Sequence, residues 1–299
     1  MPDQPDLPES AAASLLPTLP AELGAAVREC ADDLVAASPQ RTGTVSVWLG
    51  DLDLAVHLSH DADAEHYAAS TMKLPLLLAA YRRHEDGSLD LDAEVPVHNR
   101  FASAADGTAY SLDRDDDQDD ETWELVGGRS SLRRLAEHAT VRSGNLATNL
   151  LLEHVGAGAV ASVLSDAGCS SSTTLLRGIE DAVAREAGLD NVVTAADLGQ
   201  VLRGIGNRSL AQPATCVAVE EVLSRQTYRD GIPAGVPAGT PVANKTGWVE
   251  GVSHDVALVR PERRPAYVLV VLTSVDVPEE TATEAIADIS ALVWEGWHR

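Results

Sequence analysis

Ser70-Thr71-Met72-Lys73 places a hydroxyl and a primary amine three residues apart, at the head of an apolar run, MKLPLLLAAYRRHEDG, that reads as a buried helix ending near Gly87. Residues three apart share a helix face, so the amine lies within reach of the hydroxyl. The helix start adds the positive end of its dipole. Such a pair is a nucleophile with its own base. Pro75 falls in the early turns, where a missing N–H is tolerated. Ser-x-x-Lys arises by chance about once in a chain of this size at average usage, so the pair alone decides little.

Two more groupings belong with it. Lys245-Thr246-Gly247 follows PVAN on a predicted strand. It offers an ammonium and a hydroxyl to a substrate carboxylate and a glycine that admits substrate backbone. The next amide, on Trp248, can donate to an oxyanion. Ser143-Gly144-Asn145 falls in a turn between two predicted helices. Ser143 could relay a proton to a leaving nitrogen and Asn145 could bind a substrate amide. Taken alone, this triplet reads better as a helix-capping turn.

Lysine usage ties these groupings together. The chain has 20 Arg and only two Lys, Lys73 and Lys245. Arginine does not readily lose its proton, whereas a buried or charge-crowded lysine can become a base. Both lysines stand in the groupings above.

The elements that must position these residues follow from the pattern. A helix is predicted over 20–37, after a loose arm at 1–18. Two β-like runs follow, TVSVWLG from Thr44 and LDLAVHL from Leu52, joined by a hairpin near Gly50–Asp51. The stretch 88–128 is irregular and holds the acidic run DRDDDQDDE, read as a solvated loop rather than a cation site. Residues 130–225 read as helices. Strands return in PVANKTGW, GVSHDVALV and AYVLVVLTSV, and a helix closes the chain over 279–294. An isolated hairpin is unstable, so the expected fold is α/β (α+β). One antiparallel sheet is built from both chain ends and covered by the terminal helices (19–68 and 226–299), beside an all-helical lobe (69–225). A ligand cleft is expected between the lobes.

Composition narrows the partners. The 299 residues carry a formal net charge of −24, which disfavours nucleic acid and anionic membranes. Cys30, Cys169 and Cys216 form neither metal spacing nor a disulfide framework. No metal and no cofactor is implied. The first residues lack a basic and apolar leader pattern, so a cytoplasmic location is the expectation.

Ser-x-x-Lys, Ser-x-Asn and Lys-Thr-Gly, in this order, make the sequence resemble the class A β-lactamases and, more broadly, the β-lactamase/penicillin-binding superfamily of serine hydrolases. The resemblance spans about residues 20–297 and is most specific in IPAGVPAGTPVANKTG and GVSHDVALV. It implies an acyl-serine mechanism on a small-molecule substrate. Ser70 is acylated, and Lys73 is its base, with its pKa depressed by Lys245 and partial burial. Ser143 is the proton relay. Asn145, Lys245, Thr246, Gly247 and Trp248 bind substrate, a carboxylate falling to Lys245 and Thr246.

Two departures bear on turnover. Gly144 replaces the family's usual Asp. The Ω-loop pattern Arg-x-Glu-x-x-x-Asn becomes Arg177-Gly-Ile-Glu180, with Ala184 at the Asn place. Glu180 is therefore read either as the deacylation base or, like Asp181, as an ion-pair partner of Arg177. A Ser-His-Asp arrangement would have to use His66 or His254 with, for instance, Asp255. β-Lactam hydrolysis is the leading activity. Its alternatives are an esterase or amidase of the same fold, a weakly catalytic penicillin-binding protein, and a binding protein that keeps the pocket without turnover.

Overall fold

The strands from the two chain ends join into one five-stranded antiparallel sheet. In this computed structural model, which describes residue 20 and residues 22–298, they are β1 (Gly43–Asp51), β2 (Val56–His60), β3 (Val242–Val249), β4 (Val252–Val259) and β5 (Tyr267–Val275). Their order is β2-β1-β5-β4-β3. The N-terminal hairpin docks on the C-terminal one through β1 and β5, paired from Gly43↔Val275 to Asp51↔Tyr267. The arm expected over 1–18 lies outside the described residues.

Strand side chains alternate between faces, and here both faces are covered. Trp48, Val256, Leu258, Val268, Val270 and Leu272 face the helical lobe. Val47, Leu49, Ala257, Leu269 and Val271 pack with Val27, Leu34, Ile289 and Val293 of the terminal helices α1 (Leu23–Ala37) and α8 (Glu279–Trp297). Double coverage is why YVLVVL is continuously apolar rather than alternating.

The expected hairpin corner sits later than predicted. β1 continues through Asp51, and the turn occupies 52–55, with Leu54 left-handed at φ +79°. The Asp51 carboxylate accepts the Asp53 and Ala55 amides at 2.8 and 2.9 Å, which stabilises a turn without glycine.

The predicted helices form as α2 (Lys73–Glu85), α3 (Leu132–Val141), α4 (Asn145–Val155), α5 (Ala157–Asp166), α6 (Ala195–Gly206) and α7 (Pro213–Ser224). The 88–128 stretch contains short strand pairs, Glu94–Pro96 with Arg129–Ser131 and Phe101–Ala102 with Ala109–Tyr110. Cys30, Cys169 and Cys216 are free thiols. Among the described residues no single helix is long and apolar enough to cross a membrane, and no group of His, Cys, Asp or Glu is arranged to hold a metal.

Candidate active site

Ser70 sits in a single 3-10 turn, Ala69–Met72, that runs directly into α2. The turn is tied down by the Thr71 hydroxyl donating to Ala68 O at 2.6 Å and the Ala68 amide donating to Asn191 O at 3.0 Å. Ala69 adopts φ +43°, a region that side chains disfavour and that persists only where surroundings impose it. Ser70 lines a cleft of about 660 Å3 together with Ser143, Asn145, Glu180 and Trp248.

Gly247 explains how β3, the edge strand, reaches this turn. A Cβ there would stand 2.8 Å from both the Ser70 and Thr71 amide nitrogens. The close approach expected of substrate backbone is thus already made by the nucleophile's own turn. Ser70 and Trp248 consequently line one cleft, the placement an oxyanion pair needs. Gly247→Ala must push β3 off the turn, and acylation is expected to fall at least about tenfold with the fold retained. Burst kinetics and circular dichroism measure both.

Both lysines are buried, Lys73 at 1% and Lys245 at 0% exposure. Lys73 Nζ donates to Ser143 O at 2.6 Å, Asn145 Oδ1 at 2.9 Å and Ser143 Oγ at 3.4 Å. Lys245 Nζ donates to Ser143 Oγ at 3.1 Å and to Thr246 O at 2.7 Å. Ser143 Oγ therefore bridges the two amines, from a residue itself left-handed at φ +60°. Ser70 Oγ is not among the partners of Lys73. Burial lowers the Lys73 pKa to about 7, against the opposing pull of Asp117 and Asp119. The expected cause is thus corrected in two respects: burial is complete rather than partial, and the lysine repulsion falls on Lys245, whose pKa is lowered by burial first and Lys73 second.

The acidic run is not simply a solvated loop. Asp117 turns inward and accepts the Asn145 and Leu146 amides, each at 2.8 Å, which caps α4. Asp119 is buried and accepts from Thr122 Oγ1 at 2.5 Å and pairs with His138 Nδ1 at 3.0 Å. A Cβ on Gly144 would lie 2.8 Å from the Asp119 Cβ and 3.0 Å from its Oδ2. A side chain at position 144 would therefore collide with the Asp119 carboxylate.

The Ω-loop contradicts one of the two readings of Glu180. Arg177 pairs with Asp190 at 2.8 Å, not with Glu180 or Asp181. Asp181 instead accepts the Ala184 amide at 3.0 Å and the Ala104 amide at 2.8 Å. Asn149 holds the loop through both Ile179 backbone groups, at 2.8 and 3.0 Å. Glu180, left-handed at φ +61°, lines the cleft. Its Oε2 accepts the Asp113 amide at 2.8 Å, and its Oε1 is buried without a partner. Burial raises its pKa, with Asp116, Asp113 and Asp117 adding to the rise. Ala184 is buried in the short helix Ala182–Glu186 and offers no side-chain amide.

The histidines are committed elsewhere. His66 bonds Ser46 Oγ at 2.9 Å and Ser274 Oγ at 2.7 Å, and burial lowers its pKa to about 3. His254 bonds Tyr67 O at 2.9 Å, and burial lowers its pKa to about 4. Asp255 is held by Asn244 and the Ile232 amide.

The sequence matches the β-lactamase enzyme family over residues 27–297. The chain belongs to that family. It is accordingly a β-lactamase-family serine hydrolase. Among curated proteins none matches. Solved structures share the fold. The β-lactamase of Sphaerobacter thermophilus is 24% identical with a TM-score of 0.73, covering 92% of this chain and 97% of its own. A single-substitution mutant of the class A β-lactamase of the last common ancestor of Gram-negative bacteria is 24% identical with a TM-score of 0.77, covering 93% and 99%. A mutant of PBP-A, an acyl-enzyme complex with penicillin G, is 20% identical with a TM-score of 0.72, covering 92% and 97%.

Within this family frame, the residues that sequence reasoning missed are supports rather than reactants. Asn149 on α4 and Asn191 each make paired backbone bonds to the Ω-loop. Asn191 Oδ1 accepts the Leu176 and Arg177 amides, and its Nδ2 donates to Arg177 O. An asparagine inside the apolar face of NLATNLLLEHV was the available signal, because a buried amide needs partners.

Proposed function

We propose that the protein hydrolyses a strained or activated amide or ester, a β-lactam ring being the leading substrate, through an acyl-Ser70 intermediate. The carrying observation is the buried chain Lys73–Ser143–Lys245, in which one hydroxyl joins two amines at 3.4 and 3.1 Å. A hydrogen-bonded arrangement of this kind suits proton transfer in both directions. Lys73, held near pKa 7 by burial, takes the Ser70 proton as Ser70 Oγ attacks the carbonyl carbon. The carbonyl oxygen gathers charge beside the Ser70 and Trp248 amides. As the C–N or C–O bond breaks, Ser143 donates its proton to the leaving atom and is reprotonated from Lys73 or Lys245. Asn145 orients the acyl-side amide. Water then attacks the ester, with Glu180 as general base.

A slow second step is supported by one observation. The family's Ω-loop amide is replaced by buried Ala184, so no side-chain amide at that place helps Glu180 seat the water. Mixing with a chromogenic cephalosporin is expected to give a burst of about one equivalent followed by slow turnover. Glu180→Gln should weaken the slow phase about tenfold or more and leave the burst. Mass spectrometry after incubation with penicillin G tests the whole reading: a stable adduct equal to the mass of the drug supports it, and absence of acylation by any penicillin or fluorophosphonate rejects it.

A further inference from the structure

Lys73 is fully enclosed, and every acceptor around its Nζ is neutral: Ser143 O, Asn145 Oδ1 and Ser143 Oγ. A buried amine that must take up a proton needs negative charge close by. Most charged or titratable groups near it cannot supply that charge. Lys245 on β3 shares the Ser143 hydroxyl and is itself a cation. His254 on β4 is kept neutral by burial, and Asp255 beside it acts on Lys245. Glu180 is held by the Asp113 amide, and burial favours its neutral form. Two carboxylates of the acidic run remain, Asp117 and Asp119, and both favour the charged form of Lys73.

These two differ in what already holds them. Asp119 has a cation of its own, Arg142 at 3.5 Å, and pairs with His138 as well. Asp117 is bound by uncharged N–H groups. Its Oδ1 accepts the Asn145 amide at 2.8 Å and the Asp119 amide at 3.2 Å. Its Oδ2 accepts the Leu146 amide and the Trp123 indole N–H, each at 2.8 Å. Among the described residues no Arg, Lys or His forms an ion pair with it. One of those amides belongs to Asn145, whose Oδ1 accepts from Lys73 Nζ at 2.9 Å and whose Nδ2 donates to Asp116 O at 3.1 Å. The loop thus fixes the backbone and the side chain of Asn145 together. Asp116 lines the Ser70 cleft and Asp117 does not, so Asp117 acts through Asn145 rather than on substrate.

We propose that Asp117 is a positioning residue for acylation: its carboxylate fixes Asn145 so that Oδ1 meets Lys73 Nζ, and its uncompensated charge lets that buried amine take up the Ser70 proton. The role falls to a residue outside the three motifs, 28 positions before Asn145. Its effect on rate rests on the acyl-Ser70 reading, whereas its effect on the charge of Lys73 does not.

The chain's two lysines make the test direct. Carbon-13 placed at lysine Cε gives two magnetic-resonance signals, and Lys245→Arg identifies the one from Lys73. Followed against pH in the substrate-free native protein, Lys73 is expected to titrate near pH 7. Asp117→Asn removes the charge and keeps the size. The midpoint should then fall by at least about half a pH unit, because losing a nearby opposite charge favours the free amine. Whichever oxygen becomes the NH2 group faces two N–H donors, so the plateau of the burst rate should also drop at least about fivefold through misplacement of Asn145. Asp117→Ser, with a smaller neutral acceptor, repeats the titration should the first variant fail to fold. Asp115→Asn removes the same charge from an exposed neighbour and should leave both midpoint and burst in place. A midpoint unmoved by the neutral variants at 117, or moved as far by Asp115→Asn, overturns the proposal. A helix cap and nothing more would lower the melting temperature of Asp117→Asn without moving the Lys73 signal. The hydrolase reading is judged separately. If the burst profile does not follow the Lys73 midpoint downward, Lys73 is not the base, while the titration still decides whether Asp117 sets its charge.

Discussion

Ser70→Ala is expected to lose all covalent labelling by penicillins and fluorophosphonates, with circular dichroism and melting temperature close to those of the native protein. Ser70 is the one residue of the cleft that stands on a strained turn three residues before a buried lysine. The substitution removes one oxygen from a half-buried side chain and leaves the Ser70 amide, and with it the oxyanion donor, in place. Intact-protein mass spectrometry reads the result directly. Undiminished labelling of the variant, or labelling mapped to Ser143, would move the nucleophile and dissolve the proposed roles of both lysines.

Lys73→Arg is expected to lower acylation about 10³-fold, a general-base loss in the usual range. Arginine stays protonated, and a guanidinium is larger than the fully enclosed site that now holds Nζ among Ser143 O, Ser143 Oγ and Asn145 Oδ1. The pH profile of the native enzyme gives an independent reading. Burial holds Lys73 near pKa 7, so its free-amine fraction is about one half at that pH and falls tenfold for each unit below it. Acylation should rise with pH through about 7 and level off above. A profile flat from pH 5 to 9, measured as the burst rate, would mean that Lys73 is not the base. The unfolded lysine stays charged up to its ordinary pKa while the folded one is neutral above about 7. Its burial therefore costs stability as pH falls from about 10.5 to 7, because the unfolded state binds the additional proton across that range.

Much of this arrangement was legible in the sequence because its signals are local. The periods of TVSVWLG, MKLPLLLAAY and AYVLVVLTSV locate β1, α2 and β5 within a few residues. The restriction of lysine to positions 73 and 245 marks two side chains that prove fully buried. What stayed hidden depends on pairings across the fold. Asp117 and Asp119 look identical to their exposed neighbours in DRDDDQDDE, since charge patterning does not reveal which carboxylate meets a helix N-terminus or a histidine. Arg177 found Asp190 rather than the nearer Glu180 or Asp181 because backbone direction in the Ω-loop, not sequence distance, decides which side chain faces the guanidinium. Gly144 read as a departure from the family pattern, and only the approach of Asp119 makes it a requirement.

The union of early and late strands in one sheet has a consequence for how the protein comes into being. Lys245 lies 102 residues from Ser143, and β1 has to wait for β5, with Gly43 paired to Val275. During synthesis the nucleophile turn and α2 emerge early, yet nothing can hold β3 against Ser70 until β4 and β5 have left the ribosome. Contacts this distant along the chain slow folding, and the half-made protein exposes the apolar hairpin β1–β2 in the meantime. The nascent chain is therefore catalytically silent until β5 is made, and acylation of Ser70 becomes a reporter of completed folding.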